Sequence, residues 1–197
     1  MRRTSIAFLA LSLVVPGAQS QGTLQYDQQS ATVPVGADIL WDVQPNGPLG
    51  QTFVPSLSAV GFVQLELFDG HPDNGLGATL YVNLRSDSMT GAVLSTSSPV
   101  YMPETPSGGG VTNFFFSPGA TVVPGTTYFF EIVVQSGDLW RANVAGRYLL
   151  GNAYFQGVAQ PFDDLWFREG IIVPEPSSTL LLLLAAFCCF IRWRLRS

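Results

Sequence analysis

Short runs in which apolar and polar residues alternate recur through the middle of this chain, and they constrain its fold more than any other feature. Residues 63–67 read Val-Gln-Leu-Glu-Leu, and residues 80–85 read Leu-Tyr-Val-Asn-Leu-Arg. A period of two places successive side chains on opposite faces of a β-strand. Residues 128–134 form a run rich in aromatic and β-branched side chains, which favours a strand buried on at least one face.

Turn-forming residues separate these runs, and no helical period is evident between residues 21 and 173. Asp69-Gly70, Pro118-Gly119 and Pro124-Gly125 are examples of the turn signals. Many short strands at intervals of about 8–12 residues are typical of an all-β sandwich. We predict strands near residues 31–36, 50–54, 59–68, 78–86, 92–98, 111–116, 127–135, 139–143, 146–154 and 164–168.

The central segment, residues 21–173, is acidic and has no cysteine. It holds four arginines and no lysine against 13 of the chain's 14 acidic residues, a net charge of −9. A surface of this charge repels nucleic acid and anionic lipid, and we expect no nucleic acid as a partner. Cys188 and Cys189 lie outside the segment, which excludes a disulfide framework and thiol catalysis within it.

The first 20 residues have the layout of a secretory signal peptide. Arg2 and Arg3 precede an apolar run at residues 6–15, and Ala18-Gln19-Ser20 supplies small residues at the usual cleavage spacing. We therefore expect export through the Sec translocon and cleavage by signal peptidase, with a mature start near Gln21. The alternative is an N-terminal anchor that is never cleaved.

The last 24 residues combine three features in a fixed order. Pro174-Glu175-Pro176 comes first, an apolar run at 179–191 follows, and the basic end 192–197 carries Arg192, Arg194 and Arg196. A 13-residue helix spans about 20 Å of the ~30 Å hydrocarbon core, and flanking arginines can snorkel outward. By the positive-inside rule this end stays in the cytoplasm. A single-pass anchor that is never cut, or a buried core helix, would be the alternatives.

This order of motif, apolar run and basic end resembles the PEP-CTERM family of exported bacterial proteins. The resemblance implies that an exosortase recognises residues 174–176 of the sorting signal 174–197, in a Gram-negative-type host that makes exopolysaccharide. It implies an inner-membrane anchor with a periplasmic domain, then cleavage and a non-enzymatic role at the cell surface or in the biofilm matrix. Exopolysaccharide is the implied ligand.

Residues 21–173 also resemble an exported β-sandwich module that recurs on proteins of this family. The matching pieces are Gly50-Gln51-Thr52-Phe53, the strand at 80–84 with Thr90-Gly91, the segment 123–128, and Asp164 to Arg168. The resemblance implies a jelly-roll-like fold, which many carbohydrate-binding modules share. A shared fold does not by itself supply a function.

Residues 69–75 are the densest cluster of oxygen ligands. Carboxylates of Asp69 and Asp73 on a glycine-bent loop could converge on calcium. The loop departs from the EF-hand pattern, since His71 replaces an oxygen ligand and no glutamate closes it. A hairpin turn, with Asp, Asn and Gly supplying turn dihedrals, is the alternative.

Aromatic side chains could form a stacking platform for sugars. Trp41, Trp140 and Tyr154 are the candidates, with Trp166 and Tyr81 as further members. Ordinary packing in the core of the sandwich is the alternative, and Trp166, in a closing strand, is expected to be buried.

For catalysis the sequence offers few groups. The exported segment has one histidine and no cysteine, and the chain has no HExxH, G-x-S-x-G or phosphate-loop motif. Asp163 and Asp164 would point to opposite faces of a strand. Glu66 and Glu131 are the candidate pair for a second hypothesis, a carboxylate-dependent hydrolase acting on carbohydrate. A third hypothesis is a permanently anchored periplasmic domain.

Overall fold

The part of the chain that the structure describes contains thirteen β-strands, all paired antiparallel, joined by turns and loops. The computed structural model describes residues 22–36, 39–104 and 109–174, and within these ranges it contains no helix. The strands are β1 Thr23–Gln29, β2 Ile39–Asp42, β3 Leu49–Phe53, β4 Ala59–Asp69, β5 Ala78–Ser86, β6 Val93–Thr96, β7 Val100–Met102, β8 Gly109–Thr121, β9 Tyr128–Gly137, β10 Trp140–Val144, β11 Ala153–Phe155, β12 Val158–Gln160 and β13 Phe167–Val173.

The strands form two sheets that pack as a β-sandwich. The six-stranded sheet has the order β1-β13-β4-β10-β2, and β8 lies along the other edge of β4. The seven-stranded sheet has the order β12-β11-β3-β9-β5-β6, with β7 also paired to β5. From β2 to β5 and again from β7 to β11 the chain passes between the sheets at each connection, so most neighbours within a sheet are distant in sequence.

Aromatic rings from both sheets meet in the core between them. The ring centroids of Phe53 and Phe130, on the seven-stranded sheet, lie 6.1 Å apart. Phe167, on the six-stranded sheet, lies 5.3 Å from Phe130 and 5.2 Å from Tyr148. Burying each large ring contributes on the order of 2–3 kcal/mol, so this cluster supplies a large share of the stability in a segment without disulfides.

The all-β prediction is confirmed, and the strongest strand patterns are located well. The predicted strands at 59–68, 78–86 and 127–135 correspond to β4, β5 and β9. In β5 the alternation is complete, since Leu80, Val82 and Leu84 are buried and the residues between them are half-buried.

The predicted strand at 31–36 is wrong. These residues form an irregular segment between β1 and β2, and side chains rather than a strand satisfy several of its backbone groups. The carboxylate of Glu66 accepts hydrogen bonds from the backbone N–H groups of Val35 and Gly36. The indole N–H of Trp166 donates to the carbonyl of Val33 at 2.9 Å. β-Branched residues here favoured a strand that these side-chain contacts replace.

The predicted strand at 146–154 is also largely wrong, because only its end overlaps β11. The backbone N–H of Tyr148 donates to the carboxylate of Asp164 at 2.8 Å, and that of Arg147 donates to the carbonyl of Ser30. The predicted strand at 164–168 begins and ends too early, since β13 runs from Phe167 to Val173. The polar strand β1 and the short strands β2, β7 and β12 were missed.

β1 and β13 lie side by side along one edge of the six-stranded sheet. Thr23 is opposite Val173, and Gln28 is opposite Glu169. The first and last described strands are therefore hydrogen-bonded neighbours.

Candidate functional site

The outer face of the seven-stranded sheet carries the most organised set of polar side chains. Phe130 and Ile132 of β9 belong to the core, so Glu131 between them points outward. In β5 the same argument places Asn83 on the outer face, because Val82 and Leu84 are in the core. Strand alternation thus brings together residues from five different strands.

Strand register places five of these residues in one row across the sheet. Tyr154 lies opposite Gly50, and Gly50 lies opposite Glu131. Glu131 lies opposite Asn83, which in turn lies opposite Thr96. Residues directly opposite each other have side chains within contact distance, so Glu131, Asn83 and Thr96 form a continuous polar strip. Gly50, which has no side chain, separates this strip from Tyr154.

The carboxylate of Glu131 is held through one of its two oxygens. Oε2 accepts hydrogen bonds from Nε and Nη2 of Arg85, at 2.9 and 2.8 Å, and from Nδ2 of Asn83 at 3.2 Å. Thr96 Oγ1 donates to Asn83 Oδ1 at 2.8 Å and fixes the orientation of that amide. Oε1 makes no hydrogen bond with any described residue. The contacts therefore hold one oxygen in place and leave the other as an acceptor for a ligand.

A groove of about 520 Å³ lies beside this carboxylate. Its walls include Pro48 in the β2–β3 loop and Met89 and Thr90 in the β5–β6 loop, and Glu131 and Val133 line it from β9. A methyl group on Gly157 would lie 2.9 Å from Cε of Met89, so the β5–β6 loop reaches the β11–β12 turn. The groove combines an apolar surface with one oriented acceptor, which suits a ring bearing hydroxyl groups.

Gly50 allows aromatic rings to pack close to the sheet at the end of the row. A Cβ at this position would lie 2.0 Å from the carbonyl oxygen of Phe130 and 2.6 Å from Cζ of Phe129. Tyr154 meets Phe129 edge-to-face with centroids 5.3 Å apart. The ring of Phe129 thus occupies the space that a side chain at residue 50 would fill.

The three aromatic residues expected to bind sugar do not form one surface. Trp140 is 1% exposed and lies in the core, and Trp41 packs against that core with its ring 5.0 Å from Phe155. Tyr154 neighbours Phe155 on β11 and so points to the other, outer face. Only Tyr154 lies on the row described above. Trp166 is fully buried, as expected.

Glu66 and Glu131 lie on opposite sides of the sandwich. Glu66 sits between the core residues Leu65 and Leu67 of β4, so it points to the outer face of the six-stranded sheet. It is buried there beneath the 31–36 segment and also accepts a hydrogen bond from Nδ2 of Asn143 at 2.7 Å. Glu66 therefore does not face solvent, and the two carboxylates do not face a common site.

The 69–75 loop is organised as a turn. Asp69 is buried, and its Oδ1 accepts a hydrogen bond from the backbone N–H of His71 at 2.9 Å. Asp73 is exposed and has a φ of 75°. His71 and Asn74 both hydrogen-bond to Asp138, and the contact with His71 lowers the pKa of Asp138. Within the described ranges no three His, Cys, Asp or Glu side chains are grouped to hold a metal ion.

Calcium binding at Asp69 and Asp73 therefore stays a prediction. The first carboxylate is directed into the turn, and the second faces solvent.

A second unusual carboxyl lies inside the sandwich. Glu169 is fully buried on β13, and neither of its oxygens accepts a hydrogen bond from a described residue. Burial, together with the charge of Asp27, raises its pKa to about 9. Burial also raises the pKa of Tyr148 to about 12, so its phenol stays protonated and donates to Gln28. Because its pKa is raised to about 9, Glu169 is uncharged at neutral pH.

The terminal predictions fall almost entirely outside the described residues. Pro174 is exposed at the end of β13. Glu175 and Pro176, the apolar run 179–191, the basic end 192–197 and the predicted signal peptide 1–20 are not described. In the part of the chain that is described, no helix has the length and apolar character needed to cross a membrane.

Comparison with known proteins adds no family assignment. No protein-family model matches this chain, and a search of curated proteins finds no match.

Sequence reasoning identified Glu131 but missed its partners Arg85 and Asn83, and Thr96, which orients Asn83. The alternation at residues 80–85 did contain a usable signal, because it assigns Asn83 and Arg85 to the same outer face. What it could not supply is the pairing of β5 with β9, which brings residues 46 to 48 positions apart into contact.

Proposed function

We propose that this chain is an exported, non-enzymatic protein of the bacterial cell envelope or extracellular matrix, sorted by an exosortase through residues 174–197. The observation that carries the proposal is the sequence order of Pro174-Glu175-Pro176, apolar run and three arginines. The signal-peptide layout at residues 1–20 agrees with export. In this proposal the inner membrane holds the chain until cleavage, and the sandwich is a jelly roll.

The acidic sandwich itself supports a role in binding rather than in chemistry. Glu131 forms an ion pair with Arg85, and Glu66, the carboxylate predicted to act with it, points to the opposite side of the sandwich. A hydrolase of the two-carboxylate type needs both groups beside one glycosidic bond. The groove at Glu131 suits exopolysaccharide, with Oε1 accepting from a hydroxyl and Val133 contacting the ring face.

Intact mass and terminal peptide mapping of protein from its native host test the sorting proposal. We expect a chain that starts near Gln21 and ends near residues 173–176. A chain that still carries residues 180–191 would show a permanent anchor and contradict the proposed processing.

Co-sedimentation with the host's exopolysaccharide tests the groove. Val133→Lys would place a long side chain in the groove and is expected to reduce the bound fraction several-fold. Val111→Lys, an equally charged change at an exposed position of β8, is the control. Equal losses in both variants would exclude the groove as the binding site.

A further inference from the structure

A second, smaller cleft lies at the loops that precede β11 and β13. Its volume is about 370 Å³, and both loops contribute to its walls. Arg147 and Asn152 come from the β10–β11 loop, and Phe162 and Asp164 come from the loop that precedes β13. None of these residues lines the groove at Glu131, so the two clefts are separate.

Arg147 is the one arginine of the described residues whose guanidinium makes no hydrogen bond or ion pair with another described residue. Arg85 pairs with Glu131, and Arg141 pairs with Asp42. Arg168 donates to the carbonyls of Ala31 and Thr32 and lies over the ring of Trp166. In a segment with a net charge of −9, an exposed arginine without such a partner is available to an anion.

The carboxylate of Asp164, which also lines this cleft, is already hydrogen-bonded within the protein. Asp164 Oδ2 accepts from the backbone N–H of Tyr148 at 2.8 Å, and Oδ1 accepts from Nε2 of Gln51 at 2.8 Å. Asp164 is buried, and these contacts direct its charge into the protein. It positions the β10–β11 loop and leaves the guanidinium of Arg147 for a ligand.

An aromatic ring and a free amide complete the cleft. Phe162 is 96% exposed, so its ring leaves a large apolar surface in water unless a ligand or partner covers it. The side-chain amide of Asn152 makes no hydrogen bond with any described residue, although its backbone is bonded to Thr52. A ring face, a planar cation and an amide are the groups that recognise, respectively, the face, the carboxylate and the hydroxyls of an acidic sugar.

We propose that this cleft binds a uronate residue of an anionic polysaccharide, with Arg147 on the carboxylate and Phe162 against the sugar ring. The inference rests on the proposed matrix function for its biological setting, but its chemistry depends only on the four residues above. It predicts that the protein, despite its acidic surface, binds an acidic rather than a neutral glycan here.

Titration of the full chain in neutral detergent with a hexamer of galacturonic acid tests the proposal. We expect binding that weakens with salt and falls about tenfold or more in Arg147→Gln, because a charge-assisted bidentate contact is lost. Phe162→Ala should weaken it to a similar extent, and Arg147→Lys should fall between Arg147→Gln and the parent chain. The fully methyl-esterified hexamer, which keeps the rings and loses the charges, should bind at least tenfold more weakly.

Arg141→Gln and Tyr101→Ala are the matched controls, since each makes the same chemical class of change at an exposed or half-exposed position outside the cleft. Both should bind the hexamer as the parent chain does, and near-ultraviolet circular dichroism should show that every variant is folded. Absence of binding at millimolar hexamer, equal binding of the esterified form, or equal losses in Arg141→Gln and Arg147→Gln would each overturn the proposal. Terminal mapping is independent of this titration, so failure of sorting and failure of the cleft are distinguishable.

Discussion

At the scale of single residues, Glu66 holds the irregular segment 31–36 against the outer face of β4 through hydrogen bonds. Its carboxylate accepts from the backbone N–H groups of Val35 and Gly36 and from the amide of Asn143. An amide at this position keeps the shape but turns one acceptor into a donor that faces other donors. We expect Glu66→Gln to lower the free energy of unfolding by roughly 1–3 kcal/mol, measured by urea unfolding.

Glu104→Gln is the matched control for that substitution. Glu104 accepts a single hydrogen bond from the backbone N–H of Gly75, which a glutamine oxygen can also accept. Equal destabilisation of the two variants would contradict the anchoring role of Glu66.

Glu169 gives stability a pH dependence opposite in sign to that of an ordinary paired carboxylate. Its pKa of about 9 in the fold stands above the usual 4.5, so the folded chain retains a proton that the unfolded chain has released. Its contribution is complete below about pH 4.5 and is lost as pH rises toward 9, by up to about 1.4 kcal/mol per pH unit. We expect Glu169→Gln to remove this slope in urea unfolding measured from pH 5 to 9.

Asp27 gives stability the opposite pH dependence. Burial raises its pKa, but hydrogen bonds from Ser56 and Leu57 outweigh that effect and lower it. Its contribution is present above its usual pKa and is lost as pH falls. The alkaline slope should survive in Asp27→Asn over a narrower pH range, because burial still raises the pKa of Glu169 while the charge of Asp27 no longer adds to it. Parallel profiles of Glu169→Gln and the parent chain would show that Glu169 is not the titrating group.

Alternation in the sequence predicts the face of a strand but not its burial. It assigned Glu66 to the face opposite Leu65 and Leu67, which is where it lies, but the 31–36 segment that covers this face comes from elsewhere in the chain. Trp140 was ambiguous for the same reason, since an aromatic ring suits a core and a binding surface equally. Long-range contacts decide these cases, and a single sequence does not state them.

At the scale of elements, the centre of the seven-stranded sheet depends on a residue without a side chain. Gly50 lies between β9 and β11, and a Cβ there would lie 2.0 Å from a backbone oxygen. The backbone must shift to accept it, so Gly50→Ala should cost at least about 3 kcal/mol in urea unfolding.

Gly110→Ala in β8 is the comparison, because a Cβ there meets nothing within 4 Å. We expect a change of less than about 1 kcal/mol at that position. A small effect at Gly50 would mean that the strands around it can move apart without loss.

Element prediction succeeded where the local pattern and the tertiary contacts agree. β4, β5 and β9 are long, strongly patterned and central, and the sequence located each of them to within a few residues. β1 reads Thr-Leu-Gln-Tyr-Asp-Gln-Gln and carries little apolar pattern, since it lies at an edge and is mostly exposed or half-buried. Segments 31–36 and 146–154 have strand-forming composition, but carboxylates of Glu66 and Asp164 bond their backbones instead.

At the scale of the whole molecule, the charge of −9 on residues 21–173 sets the response to salt. Two arginine–carboxylate pairs on the outer faces are screened as salt rises, and each contributes about 1 kcal/mol or less when exposed. Self-repulsion among 13 acidic residues is screened at the same time, over a Debye length that shrinks from ~30 Å at 0.01 M to ~8 Å at 0.15 M.

We expect the second effect to be larger, so the urea midpoint should rise between these two ionic strengths. Sucrose in place of salt controls for exclusion effects unrelated to charge. A midpoint that falls with salt would show that the ion pairs outweigh the self-repulsion.

The pairing of β1 with β13 determines how the sandwich responds to mechanical load. Thr23 and Val173 are opposite each other at the outer end of an antiparallel pair, so tension applied between them acts across the ladder rather than along it. The hydrogen bonds are then loaded and broken one after another, in an unzipping geometry, and separation of the two strands requires little force. Force applied at the end of β13 alone would instead be distributed over two ladders, because β13 also pairs with residues Phe62 to Leu65 of β4. Attachment through a single terminus is therefore the mechanically stronger way to hold this sandwich.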